Sequence, residues 1–229
     1  MDNKLAIAQT LKYAEELREV YSQERTQRRA AEEALEQLRA SYATTVRALA
    51  AALELRDDET GDHADRVARL ALRLAELVAP ELAADPELEY GFLLHDLGKI
   101  GVADAILLKP GPLDPKELTI MRGHPLLGEQ IVARIPYLGG LARSVVAAHH
   151  ERWDGTGYPQ GLAGTDIPLA ARIFAVVDAF DAMTNDRPYR KALSFEVAVA
   201  EIDRGAGTQF DPAVTRAFVS LADELRLAA

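Results

Sequence analysis

The stretch RVARLALRLAELVAP, residues 66–80, decides the fold class. Val67, Leu70, Ala71, Leu74, Leu77 and Val78 recur at helical spacing, so they line one face of a helix, and Pro80 ends it. Reading towards the C-terminus, the pattern keeps that period. Pro86 opens a helix that runs through Phe92, Leu93 and Leu94 and is expected to stop at Gly98. Residues 115–135 and 139–150 predict two more helices. Pro168 opens another, carrying Ile173, Val176, Val177 and Phe180, and residues 194–204 and 211–227 supply the last two. Between Glu151 and Ile167 lies a Gly-rich loop without periodicity. No stretch alternates as a half-buried strand would, so the expected class is all-α.

Towards the N-terminus the composition changes. Residues 1 to about 50 contain no Gly or Pro and are rich in Ala, Glu, Arg and Leu, which favours helix. Ala14, Tyr21, Leu35, Tyr42 and Leu49 share one heptad position, and Leu17, Ala31 and Leu38 share the other. Glu24, Arg28 and Thr45 interrupt the seam. Such a seam predicts a short coiled coil joining two copies of the chain, with a lone amphipathic helix folded onto the body as the alternative. The expected division is an N-terminal helix over 1–50 and a domain over 51–229.

Bulk properties narrow the chemistry. The 229 residues are 48% hydrophobic, enough for a sizeable core. There are no cysteines, so disulfides are excluded and any metal must be held by His, Asp, Glu or water. The net charge of −10 disfavours DNA, RNA and anionic lipid as partners. No signal peptide and no run long enough to span a membrane is legible, so a cytoplasmic protein is expected. An anionic ligand would need a local positive centre, which bound metal ions can supply.

The polar residues cluster in a way that suggests such a centre. All five histidines, His63, His95, His124, His149 and His150, lie outside the N-terminal helix. Glu59 and His63 are spaced to share a helix face if the helix begins near Glu59. His95 and Asp96 are adjacent, presenting two ligands in diverging directions, as bridging two metals requires. His149 and His150 form a second adjacent pair. Asp178 interrupts an apolar helix, where an unpaired carboxylate is costly and a metal ion would relieve the cost. Imidazole and carboxylate without thiolate suit Fe, Mn, Zn, Co or Ni at a hydrolytic site. Each residue taken singly also reads as a helix cap or a satisfied core polar group.

HDLGKIG at 95–101, followed by HHERWDGTGYPQGL at 149–162, resembles the HD-GYP family of HD-domain phosphohydrolases. ETGDHADRV, HDLGKIGVADAILLKPG, the isolated His124, AVVDAFDAMTNDRPYR and GTQFDP follow in the family's order, so the likeness covers about residues 51–220. The resemblance implies a helical bundle with two or three divalent metals, often iron or manganese. His63, His95, Asp96, His124, His149, His150 and Asp178 match metal positions, Asp96 as the bridge, and Glu59 matches a ligand of a third metal. Lys99 matches the lysine near the scissile phosphate; its plainer reading is a cation at a helix C-terminus. Tyr158, Arg187 and Arg190 match ligand-contacting positions. Loop anchoring is the alternative for Tyr158, and a salt bridge to Asp186 or Asp181 for Arg187. The second basic position is often Lys, so Arg190 departs from the pattern.

The family reaction implied is hydrolysis of cyclic di-GMP to linear pGpG or on to GMP, with cyclic GMP-AMP preferred by some relatives. A binding module for cyclic dinucleotides or for a diguanylate cyclase domain is the competing reading, opposed by the intact ligand set. A hydrolase of mononucleotides or alarmones is a third, opposed by the full GTGYP loop.

Overall fold

The stripe around Val67 is buried as a helix face in the computed structural model of the protein. It describes residues 2–57, 63–186 and 191–228, with side chains over 7–56, 63–186 and 191–226. Helix α2, His63–Val78, buries Val67, Ala68, Ala71, Leu74 and Ala75. Leu77 stays exposed, because the small alanines 68 and 75 rather than the stripe's far end complete the packed face.

The regular elements among the described residues are all helices, with one isolated bridge, Ala206 to Phe210, and no strand. The chain divides into two compact units, Met1–Thr45 and Val46–Ala229. Helix α1, Asp2–Asp57, supplies the described residues of the first unit and the opening turns of the second. In the first unit Leu17, Tyr21, Leu35, Leu38 and Tyr42 are exposed in the single chain. In the second, Val46 and Ala50 are buried, and Arg47 pairs with Asp65 and Glu89.

The second unit continues through α3 (Pro80–Ala83), α4 (Pro86–Leu93), a 3-10 turn (Leu97–Gly101), α5 (Asp104–Leu107), α6 (Pro115–Met121), α7 (His124–Val132) and α8 (Leu141–Ala148). After the loop come α9 (Leu169–Thr184), α10 (Phe195–Arg204) and α11 (Pro212–Ala228). Helix α9 is central: Phe174 stacks on Phe92 at 5.4 Å, and Phe180 meets Phe195 at 5.5 Å and Phe218 at 5.0 Å. Burying each such ring contributes roughly 1.5–3 kcal/mol before chain entropy is set against it.

Two helices end earlier than the sequence predicts, and both breaks have a local cause. Helix α4 stops at Leu93 rather than Gly98, and the chain tightens into the 3-10 turn. There the backbone of Gly98 lies against that of α7: a Cβ at Gly98 would sit 1.8 Å from the His124 carbonyl oxygen. Across the contact, a Cβ on Gly128 would meet the Gly98 nitrogen at 3.1 Å. The predicted helix 115–135 is two helices, α6 and α7. Pro125 has no N–H, so the carbonyl of Met121 lacks the donor that would carry the helix through.

Candidate metal centre

That Met121 carbonyl is taken instead by a side chain, His124 Nδ1, at 2.8 Å. The arrangement recurs. His95 Nδ1 reaches the Phe92 carbonyl at 2.9 Å, and His149 Nδ1 reaches the Val146 carbonyl at 3.0 Å. Each carbonyl lies in the last turn of a helix, where intrahelical donors run out. A carbonyl only accepts, so Nδ1 must carry the proton, and in the neutral ring Nε2 is left with a bare lone pair. His63 achieves the same state through a carboxylate: its Nδ1 donates to Asp181 Oδ2 at 2.7 Å. Arg66 Nε and Asn185 Nδ2 hold Asp181 Oδ1, each at 2.9 Å.

The Nε2 atoms of His95, His124 and His149 converge on Asp96. Its Oδ1 lies 3.0 Å from His124 Nε2 and 3.7 Å from His149 Nε2, and its Oδ2 lies 3.1 Å from His95 Nε2. His124 and His149 bring their Nε2 atoms within 3.2 Å of each other. Asp96 Oδ1 is fully buried and makes no well-aligned hydrogen bond, although His124 is within reach. Lone pairs facing a carboxylate at such distances repel unless a cation lies among them. Two groups of donor atoms result: Asp96, His124, His149 and His150; and His63, His95 and Asp178, with Asp178 Oδ1 3.6 Å from His63 Nε2. The donor chemistry and the orphaned oxygen therefore fit divalent metal ions, with a carboxylate–histidine support behind His63 and carbonyl supports behind three of the others.

The electrostatics agree. Burial opposes the charge of Asp96, but Lys99 and His95 hold its carboxyl well below the ordinary range. Burial pushes His149 down, and burial beside the His149 ring pushes His150 far down, so both favour the neutral form that can ligate. Burial also works against protonated His95, yet the facing Asp96 charge and Asp178 raise it to about 9. Without a cation a proton takes that place, and an arriving metal must displace it.

Lys99 projects from the 3-10 turn and its Nζ lies 2.8 Å from Asp96 Oδ2. Tyr158 packs its ring on His150, centroids 4.7 Å apart, and burial raises its hydroxyl to about 12. Arg122, exposed and two residues ahead of His124, covers the same tyrosine ring at 5.2 Å. The loop that carries Tyr158 is held from beneath by buried Glu151, which accepts from the Gln160 and Leu162 nitrogens at 2.7 and 3.0 Å. Gly157 passes so close that a Cβ would meet the Arg152 nitrogen at 2.3 Å. Trp153 and Asp154 donate to the carbonyls of Gln209 and Thr208, so GTQFDP anchors the loop.

Seven of the sequence-predicted ligands thus come together, joined by Lys99 and Tyr158. Glu59, Arg187 and Arg190 lie outside the described residues. Sequence reading missed Asp181 and Arg66 as supports of His63, Glu151 beneath the loop, and Arg122. Asp181 sits in the same apolar helix as Asp178, which was the available signal; the pairing with Arg66, 115 residues away, has no local trace.

A helical domain that gathers histidines and aspartates from several helix ends around one His–Asp pair defines the HD class. The chain belongs to the HD-domain family, which matches residues 47–214. Within it, the chain is an HD-GYP protein. It is 43% identical over 174 residues to a cyclic di-GMP phosphodiesterase of Thermotoga maritima, covering 75% of this chain and 47% of that one. It is 39% identical over 177 residues to 3'3'-cGAMP-specific phosphodiesterase 2 of Vibrio cholerae, covering 77% and 34%. The chain thus spans less than half the length of these relatives. The crystal structure of a cyclic GMP-AMP specific phosphodiesterase from V. cholerae shares the fold, with a TM-score of 0.61 at 19% identity over 80% of this chain and 49% of that one.

Proposed function

We propose that this chain hydrolyses a phosphodiester bond of a cyclic dinucleotide, cyclic di-GMP foremost, giving linear pGpG or GMP. The observation that carries the reading is Asp96, whose two oxygens face two groups of imidazole lone pairs. Divalent ions bound there would supply Lewis-acid charge and lower the pKa of a water. His63, His95 and Asp178 would hold one ion and His124, His149 and His150 the other, with Asp96 shared. Iron or manganese suits these donors. Glu59, outside the described residues, is the candidate ligand for a third ion.

The chain's own residues would do the rest. Lys99 neutralises charge gathering on the reacting phosphoryl oxygens. Tyr158, raised to about 12, stays protonated and so donates to a phosphate oxygen. Arg122, Arg187 and Arg190 offer permanent charge to the second phosphate. The exposed seam of α1 would pair two copies, and the Gly-rich loop is the surface available to a diguanylate cyclase domain. A cytoplasmic location fits an intracellular messenger as substrate; no described helix is long and apolar enough to cross a membrane.

The test is product analysis on the iron- and manganese-loaded chain offered cyclic di-GMP, 3'3'-cGAMP, GTP and ppGpp. Turnover of a cyclic dinucleotide with GTP and ppGpp untouched is expected. Hydrolysis of GTP or ppGpp alone, or tight cyclic di-GMP binding without turnover, overturns the reading.

A further inference from the structure

Arg56, in the last turn of α1, faces the backbone of the turn that carries Lys99. Its Nη1 donates to the Lys99 carbonyl at 2.9 Å and the Ile100 carbonyl at 2.8 Å. Its Nη2 donates to the Val102 carbonyl at 2.5 Å and to Asp104 Oδ1 at 2.8 Å, and Nε reaches the same Oδ1 at 3.2 Å. A guanidinium has five N–H donors in a fixed fork, and all five are engaged here. A lysine has three donors on one atom and cannot span these carbonyls.

The bonded groups lead directly to the metal centre. The Lys99 carbonyl that accepts from Arg56 also accepts from the Val102 nitrogen at 3.0 Å, closing the 3-10 turn. The Lys99 nitrogen donates to the Asp96 carbonyl at 2.8 Å, and the Lys99 ammonium meets the Asp96 carboxylate at 2.8 Å. Between them, Gly98 rests on the backbone of His124. A 3-10 turn of five residues has poor hydrogen-bond geometry of its own and leaves C-terminal carbonyls unpaired. Arg56 satisfies those carbonyls from outside the turn.

Helix α1 is tied to the centre a second time. Glu54 Oε1 accepts from the Ala64 nitrogen at 2.5 Å, next to His63 at the start of α2. Arg56 and Glu54, two residues apart, therefore reach the backbone beside both groups of ligands.

We infer that Arg56 is a positioning residue that sets Lys99 and Asp96 by clamping the 3-10 turn to the end of α1. Its kinetic consequence rests on the proposed phosphodiesterase activity; its structural consequence does not.

The full-length chain is compared with Arg56→Ala and Arg56→Lys by amide hydrogen exchange, by metal content and by steady-state kinetics on cyclic di-GMP. In Arg56→Ala, exchange should quicken at the amides of residues 97–104 while α9 and α10 stay protected. Its kcat should fall roughly ten- to a hundredfold, the worth of losing such charged contacts, with KM little changed. Arg56→Lys should fall between the two, and guanidinium at non-denaturing concentration should restore part of the Arg56→Ala rate. If Arg56→Ala does not fold, Arg56→Lys carries the same readouts. Unchanged exchange over 97–104, or a loss of protection spread evenly across the domain, overturns the clamp. So does full kcat in the variant where the parent is active. If the parent turns over no cyclic dinucleotide, the proposed function fails, and the exchange arm still decides the clamp.

Discussion

His63 is oriented by a side chain, Asp181, where the three other oriented histidines use main-chain carbonyls. Asp181→Ala should therefore remove the carboxylate that accepts from His63 Nδ1 and bonds Arg66. Loss of such an outer support lowers metal affinity by about 10–100-fold, which calorimetric metal titration would measure; unchanged affinity would dismiss the support. Lys99 belongs to the same scale. Under the proposed function, in which the ammonium acts on charge that develops in the transition state, Lys99→Ala should lower kcat more than it raises KM. Steady-state kinetics at matched metal content check this, and an unchanged kcat would leave Lys99 as a mere counter-charge to Asp96. The clustered residues themselves were legible because carboxylates and imidazoles in apolar helices are conspicuous. Their supports were not, since a carbonyl is present at every residue and Arg66 looks like any surface arginine on a helix.

Among the elements, the helices could be read from apolar period and proline, and Pro125 was the available signal for the break between α6 and α7; the early end of α4 had none. The end of α4 depends on the close crossing of Gly98 and α7, which joins segments distant in sequence. Gly98→Ala would force a methyl into the His124 carbonyl and should destabilise the domain by roughly 1–3 kcal/mol or more, read as a lower urea midpoint. The gap between α6 and α7 is a proline effect with a functional partner. Pro125→Ala returns an N–H to compete for the Met121 carbonyl now bound by His124 Nδ1. Helix content should then rise while metal affinity drops. Circular dichroism and metal titration on one sample would separate these, and a parallel rise in both would refute the competition.

Taken whole, the chain carries a net charge of −10, so the proposed cyclic dinucleotide, itself anionic, would have to be recognised at short range. The N-terminal helix contributes exposed Leu17, Tyr21, Leu35, Leu38 and Tyr42. Removing residues 1–40 should shift the protein to monomer by light scattering, and an unchanged number of chains per particle would count against pairing through the seam. One arrangement also bears on how such a chain tolerates drift. The carbonyls behind His95, His124 and His149 belong to Phe92, Met121 and Val146, and every amino acid brings the same carbonyl. Substitution at those three positions can alter packing but cannot delete the group that fixes the imidazole. Asp181 has no such insurance. Over long descent, wear in the orientation of the centre should begin on the His63 side, at the support that a single base change can remove.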